Sequence, residues 1–246
     1  MIAEVQKPRY DALLIHGLGW RHSAEEEAGL LERAQIQELE KPPEKRKDIS
    51  IFRYSRPSLE GHFVDSAAQA LYKNSVVADN IVVTGSQLFD HPTPYAEVLE
   101  NQFRVKSPDA NVIDAGEART TAMEINGLVQ QAREHGWNNI ATVTLGIHQK
   151  RAAMLAKKVS KRTGVNITVL AAEDILTNPE MHESGDHVSA EAKAGRYKEF
   201  FGKLQQSKGY RKFATHELIA RNIERTHTTA LFDKLSKVIR PKVMSK

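Results

Sequence analysis

Five short runs of β-branched and apolar residues, separated by helical patterns, constrain this fold more than any other feature of the chain. The runs begin near Ala12, Ile81, Asn111, Ile140 and Ile167. Each run except the last is followed by residues with helical periodicity. Strands that alternate with helices need right-handed crossovers, which pair the strands in parallel and cover both faces of the sheet. The sequence therefore predicts an α/β protein of three layers, a Rossmann-like, mostly parallel sheet with helices on both faces.

Glycines mark the ends of two predicted helices. After Thr121 the apolar residues follow helical spacing up to Gly136, and a second helix runs from about Gln149 to Gly164. Glycine is favoured just past a helix because it adopts the left-handed conformation that ends many helices. Both helices are then followed by similar turns into the next strand, which supports consecutive α/β units.

Two regions depart from the simple alternation. Residues 23–48 form an inserted helix and a charged connector, in which Ser23 and Glu26 have the spacing of a capping box. The tail from about 190 to 246 is basic and helical, and we expect its apolar faces to pack on the sheet or cover the site. The organisation predicted is a single domain over residues 1–246.

Composition narrows the classes of function. The chain has 246 residues, 40% of them hydrophobic, and no cysteine, which excludes disulfides and thiolate chemistry. No apolar run is long enough for a membrane span, and the first residues are too polar for a secretory signal, so we expect a cytoplasmic protein without a membrane partner. The net charge of +4 comes from 35 basic and 31 acidic residues. That mixture favours an ordinary solvated surface over a nucleic-acid footprint.

Polar residues follow two of the predicted strands and indicate a ligand site at the carboxyl ends of the sheet. Glu117 and Thr121 follow the third strand, and His148 and Arg151 follow the fourth. Structural roles are open for the first two, because Thr121 with Glu124 has the spacing of a capping box and Glu117 can pair with Arg119.

An anion is the ligand that this pattern favours. His148 and Arg151 are three residues apart at a helix start, where backbone N–H groups and the helix dipole attract negative charge. Arg151 also offers a planar set of donors that suits phosphate or carboxylate. Glu97 lies in the first turn of another predicted helix, where it either contacts the ligand or interacts with the helix dipole.

Several common motifs are absent from the sequence. The turn containing Gly17 and Gly19 lacks the third glycine of the dinucleotide fingerprint, and there is no P-loop. Ser86, in Thr84-Gly85-Ser86, does not stand in a hydrolase nucleophile elbow. The His182, Glu183, Asp186 and His187 cluster lacks zinc-site spacing, so no metal site is predicted.

An ordered set of motifs resembles the YdcF-like domain-of-unknown-function family, which includes the SanA and ElyC envelope proteins. The resemblance covers about residues 10–172, with matches at Glu97, Glu117, Thr121, Glu124, His148 and Arg151. It departs from the family where Thr84-Gly85-Ser86 replaces paired glycines and where Glu124 replaces a frequent Asn. The resemblance implies a Rossmann-like domain and a nucleotide-like or S-adenosylmethionine-like ligand, with no agreed reaction.

These observations predict a protein that binds a small anionic ligand, nucleotide-like, S-adenosylmethionine-like or phosphorylated, at the carboxyl edge of its sheet. If the ligand reacts, Glu97 or Glu117 serves as general base, His148 as acid or ligand donor, and Arg151 stabilises negative charge. The residues predicted to bind the ligand are Gly17, Gly19, Gly85, Ser86, Thr121 and Arg151. Two alternatives stay open: a non-catalytic binding or regulatory protein, and a nucleic-acid-associated protein that uses its basic tail.

Overall fold

A computed structural model of the chain describes residues 9–16, 42, 59–85, 95–118, 120–183, 188–206 and 208–225. Its centre is one sheet of five strands, all parallel to their neighbours. The strands are β1 (Tyr10–Ile15), β2 (Val77–Val83), β3 (Asn111–Asp114), β4 (Asn139–Thr144) and β5 (Asn166–Ala171). The prediction of five parallel strands in one sheet is confirmed.

The strand order, β3-β2-β1-β4-β5, creates a change of direction in the middle of the sheet. The chain starts in the centre with β1, moves outward to β2 and β3, and then returns past β1 to form β4 and β5. Connections on either side of β1 therefore leave the sheet in opposite directions. The reversal lies between β1 and β4, and open α/β sheets commonly bind ligands outside the carboxyl ends of the strands at such a point.

Helices cover both faces of the sheet. The helices described are α1 (Leu59–Lys73), α2 (Tyr95–Lys106), α3 (Thr121–His135), α4 (Gly146–Thr163), α5 (Ala172–Leu176), α6 (Ala190–Gln206) and α7 (Lys208–Arg225), with a 3₁₀ turn at Pro179–Met181. On one face, α3 and α4 pack on the sheet, and on the other α1 lies against α2 and α5. This arrangement confirms the three-layer α/β fold.

The core between the sheet and α3–α4 follows from the alternation of side chains along each strand. Its strand residues include Ala12, Leu14, Val82 and Ile140, which meet Ile125, Leu128 and Val129 of α3 and Leu155, Ala156 and Val159 of α4. The alternate residues Leu13, Ile15, Ile81 and Val83 are also fully buried, on the other face. Both faces of these strands are therefore buried, as expected for a parallel sheet with helices on both faces.

Both helix-ending glycines are found as predicted. Gly136 follows α3 with φ 71° and Gly164 follows α4 with φ 79°, both in the left-handed region. One boundary differs, because α4 begins at Gly146 instead of about Gln149. The strand passes into the helix almost directly, so His148 lies inside the first turn of α4.

The chain separates into two compact units, residues 1–198 and 199–246, with the boundary inside α6. In the second unit, α6 ends and α7 follows, which confirms a helical tail as far as Arg225; Leu218 and Ile219 of α7 are exposed. The inserted segment 23–48 lies outside the described residues, apart from Pro42. The single-domain organisation and the docking of the tail stay predictions. None of the helices in the described ranges is long and apolar enough to cross a membrane.

Candidate functional site

Each of three neighbouring strands has a buried polar residue at its carboxyl end or directly after it, on the same face of the sheet. His16 lies two residues beyond Leu14, Thr84 two beyond Val82, and Thr144 two beyond Thr142. Because side chains alternate along a strand, these residues point toward the α3–α4 layer. All are buried, His16 with 2%, Thr84 with 1% and Thr144 with 2% of their surface exposed. The apolar core of this face therefore becomes polar at the carboxyl edge.

The centre of this polar region is an interaction between His16 and Glu124. Nδ1 of His16 lies 2.6 Å from Oε2 of Glu124, although the two residues are 108 positions apart in the chain. Glu124 is in the first turn of α3 and is only 6% exposed. The hydroxyl of Thr84 donates to Oε1 of the same carboxylate over 3.4 Å, at the weak end of hydrogen-bond lengths. We call these three residues the His16–Glu124–Thr84 cluster.

The second ring nitrogen of His16 is in a different situation. Nε2 is buried and has no hydrogen-bond partner among the residues that the structure describes. Buried polar atoms are nearly always hydrogen-bonded, and exceptions call for a specific reason such as a ligand or a catalytic role. The cluster therefore presents a nitrogen whose hydrogen-bonding capacity is unused within the described part of the fold.

The position of Glu124 corrects the predicted capping box. The N-cap of α3 is Thr120, whose hydroxyl oxygen accepts the N–H of Met123 at 3.2 Å, and Thr121 is the first helical residue. A capping box needs its acidic residue three positions after the cap, which is Met123 here. Because the helix starts one residue earlier, Glu124 faces the sheet together with Ile125 and Leu128 and binds His16 instead.

A second cluster forms where β4 passes into α4. Leu145 occupies the N-cap position and supplies no side-chain hydrogen bond. In its place the Oε2 atom of Glu173, from α5, accepts the N–H of Gly146 at 2.6 Å. A Cβ atom added at Gly146 would lie 3.3 Å from the carboxylate of Glu173, so glycine permits this close approach. A carboxylate at a helix N-terminus is also favoured by the helix dipole.

Burial raises the pKa of Glu173 above its ordinary value, and the negative charge of Asp174 adds to this increase. The N–H groups of Glu173 and Gly146 and the nearby His148 act in the opposite direction, but burial has the largest effect. A negative charge on Glu173 is therefore less favourable in the folded chain than in water. His148 is close enough to Glu173 to influence its ionisation, which connects one predicted site residue to this second cluster.

The predicted site residues differ in burial. Glu97 in α2 and Glu117 before α3 are exposed, whereas His148, Arg151 and Thr121 are half-buried and Gly85, two residues after β2, is buried. Gly85, Glu117, Thr121, His148 and Arg151 all follow the ends of parallel strands, on the same edge of the sheet. Gly17, Gly19 and Ser86 lie outside the described residues. Convergence of the whole set, including Glu97, around one cleft stays a prediction.

Sequence reasoning missed the roles of His16, Thr84 and Glu173. A polar residue directly after a buried strand is a signal that His16 and Thr84 share with the residues that were identified. Glu173 gave no such signal, because its contact with Gly146 depends on how α5 is placed beside α4. Among the described residues, no group of three or more His, Asp or Glu side chains is arranged to hold a metal ion.

Comparison of the chain with protein-family models, with curated proteins and with solved structures finds no match. The resemblance to YdcF-like proteins therefore stays a prediction from its motifs.

Proposed function

We propose that this chain binds a small anionic ligand, nucleotide-like, S-adenosylmethionine-like or phosphorylated, in the crevice between the carboxyl ends of β1 and β4. The observation that carries the proposal is the buried His16–Glu124 pair at the end of β1, beside the point where the strand order reverses. Burying polar side chains such as this pair is costly in an apolar core and is seldom the best way to stabilise a fold. The buried Nε2 of His16, which has no partner among the described residues, is the kind of exception that a bound ligand explains.

The start of α4 supplies the attraction for an anion. His148 and Arg151 lie in its first two turns, and Arg151 is half-buried instead of fully solvated. The helix dipole and the guanidinium group of Arg151 both favour negative charge at this position. Glu173 already accepts the N–H of Gly146 at the same helix end, and burial of its own carboxyl group raises its pKa. An anion bound beside it would raise that pKa further by like-charge repulsion, so proton uptake by Glu173 would accompany binding.

The YdcF-like resemblance is part of the same proposal and supports the ligand class. Acid/base chemistry would be a further step after binding, with Glu97 or Glu117 as base, His148 as acid or ligand donor and Arg151 stabilising negative charge. Binding is the property to test first, because both the catalytic and the non-catalytic alternatives depend on it.

A thermal-shift screen of nucleotides, S-adenosylmethionine and sugar phosphates tests the proposal. A ligand present at a hundred times its Kd stabilises the folded protein by about 2.7 kcal/mol, enough for a clear shift of Tm. A complete screen in which no compound of these classes changes Tm would refute the proposal.

Arg151→Ala should weaken a ligand found in this way by about 1.5–3 kcal/mol, the usual contribution of a charge-assisted hydrogen bond. Arg151→Lys should restore only part of that loss, because an ammonium group lacks the planar set of donors. Lys157→Ala, an exposed residue further along α4, is the matched control and should bind normally. Equal affinity of Arg151→Ala and the parent by calorimetry would exclude the role of Arg151.

A further inference from the structure

The two nitrogens of the His16 ring have different partners, and this difference indicates a role for His16 that the sequence did not reveal. Nδ1 is held by Glu124 at 2.6 Å, and Nε2 is buried without a hydrogen-bond partner in the described part of the chain. A histidine that served only to satisfy Glu124 would use one nitrogen and leave the other at an energetic cost. A group that completes the hydrogen bonding of Nε2 would remove that cost.

Glu124 determines which nitrogen can accept. An ionised carboxylate has no proton to donate, so the hydrogen bond requires Nδ1 to carry the hydrogen. In a neutral ring, Nε2 then has a lone pair and accepts hydrogen bonds. A carboxylate that orients a histidine in this way is the usual arrangement when the opposite nitrogen contacts a ligand or accepts a proton.

We infer that His16 contacts the ligand through Nε2, which accepts a hydrogen bond from a hydroxyl or amino group, and that Glu124 is a positioning residue that holds the ring. This inference rests on the proposed binding site at the β1–β4 crevice and adds a specificity for it. The ligand class is an anion that also carries a hydrogen-bond donor, such as a sugar phosphate or a nucleotide. Simple anions without a donor would use only the α4 end of the site.

The surroundings of His16 support a defined ring orientation. The ring lies at the polar end of a layer formed by Leu14, Val82 and Ile125, all of them almost completely buried. Glu124 is held on α3 by the same packing that buries Ile125 and Leu128. The His16–Glu124 hydrogen bond is therefore fixed by two rigid elements, β1 and α3, which is the kind of support that a selective contact needs.

His16→Asn separates the two functions of the ring. The Asn amide can donate to Glu124 from near the position of Nδ1, but it places no atom near Nε2. Adenosine 5′-monophosphate and glucose 6-phosphate serve as probes that carry donors, and sulfate serves as an anion without a donor at neutral pH. We expect His16→Asn to weaken both donor-bearing probes by about tenfold to a hundredfold and to leave sulfate affinity unchanged.

His135→Asn is the matched control, because His135 is exposed at the end of α3, where it stacks on Trp137. It should bind all three probes like the parent. Glu124→Leu should lower the affinity for the donor-bearing probes as His16→Asn does, and Glu124→Gln should lower it less, because the amide oxygen can still accept from Nδ1. If Glu124 had only a structural role, its variants would be less stable than the parent but would keep the parent's selectivity between the nucleotide and sulfate.

A nuclear magnetic resonance measurement on the parent protein keeps the test independent of whether a variant folds. With ¹⁵N-labelled histidine, the Nε2 resonance of His16 should shift when adenosine 5′-monophosphate or glucose 6-phosphate is added, whereas sulfate should leave it in place. If the donor-bearing probes bind but Nε2 does not respond, or if His16→Asn weakens sulfate equally, the inference is wrong while the proposed site remains. If none of the three probes binds the parent, the inference fails for these ligands, and the complete thermal-shift screen then decides the proposed function.

Discussion

Removing His16 alone should destabilise the fold more than removing both members of the His16–Glu124 pair. Both side chains are almost fully buried, with 3% and 7% of their surfaces exposed. His16→Leu leaves a buried carboxylate without its nearest partner, which should cost about 3–5 kcal/mol of unfolding free energy. Glu124→Leu leaves a neutral ring with an unsatisfied Nδ1, at about 1–3 kcal/mol. The double variant replaces the pair with two apolar side chains beside an apolar layer, and should lose no more than about 2 kcal/mol.

Urea unfolding followed by circular dichroism measures all four proteins of this double-mutant cycle. The two single losses together should exceed the double loss by a coupling energy of at least about 2 kcal/mol, as expected for residues in direct contact. The m-values should stay equal, so that differences in midpoint report stability alone. If the two single losses simply add in the double variant, His16 and Glu124 do not share a hydrogen bond, and the reasoning for the site is refuted.

Three further predictions concern the start of α4 and the end of α3. Gly146→Ala should cost about 1–3 kcal/mol, because the new methyl group meets the Glu173 carboxylate at 3.3 Å; unchanged urea unfolding would contradict this contact. Burial raises the pKa of Glu173 above its ordinary value of 4.5, so folding favours the protonated carboxyl group. Its contribution to the free energy of unfolding is fully present below about pH 4.5 and is lost as the pH rises through the pKa of the folded state. The Tm of Glu173→Gln should therefore rise relative to that of the parent as the pH increases from 4 to 8. A difference in Tm that is constant over this range would show that the pKa of Glu173 is not perturbed. Gly136→Ala should cost about 1 kcal/mol, purely from its φ of 71°, since no atom lies within 4 Å of the new Cβ; an equally stable variant by urea unfolding would argue against the left-handed helix end.

Local patterns were sufficient to predict the architecture. The runs at Ala12, Ile81, Asn111, Ile140 and Ile167 became five parallel strands because strand and helix periodicities are properties of neighbouring residues. Gly136 and Gly164 ended their helices for the same reason, since the left-handed conformation is a local requirement. Positions directly after strands were also predictable as site candidates, because all parallel strands end at one edge.

Tertiary structure decided which of those polar residues meet. Thr121 and Glu124 had the spacing of a capping box, yet Thr120 takes the cap and Glu124 turns toward the sheet. The start of a helix shifts by one residue at little local cost, but that shift rotates every side chain by about 100° around the helix axis. Packing of Ile125 and Leu128 on the sheet selects the rotation, and the same rotation brings Glu124 to His16.

The strand order is the reason that His16 and Glu124 could not be paired from the sequence. His16 ends the first strand and Glu124 begins the helix after the third, and they meet only because the connection through α3 crosses from β3 to β4, on the far side of β1. Strand order depends on long-range packing and not on local propensity. The sequence by itself determined which segments are strands and helices and which edge of the sheet is polar. Only the folded chain decided which of these polar groups pair, because the free energy of burying a polar group depends on partners that are distant in sequence.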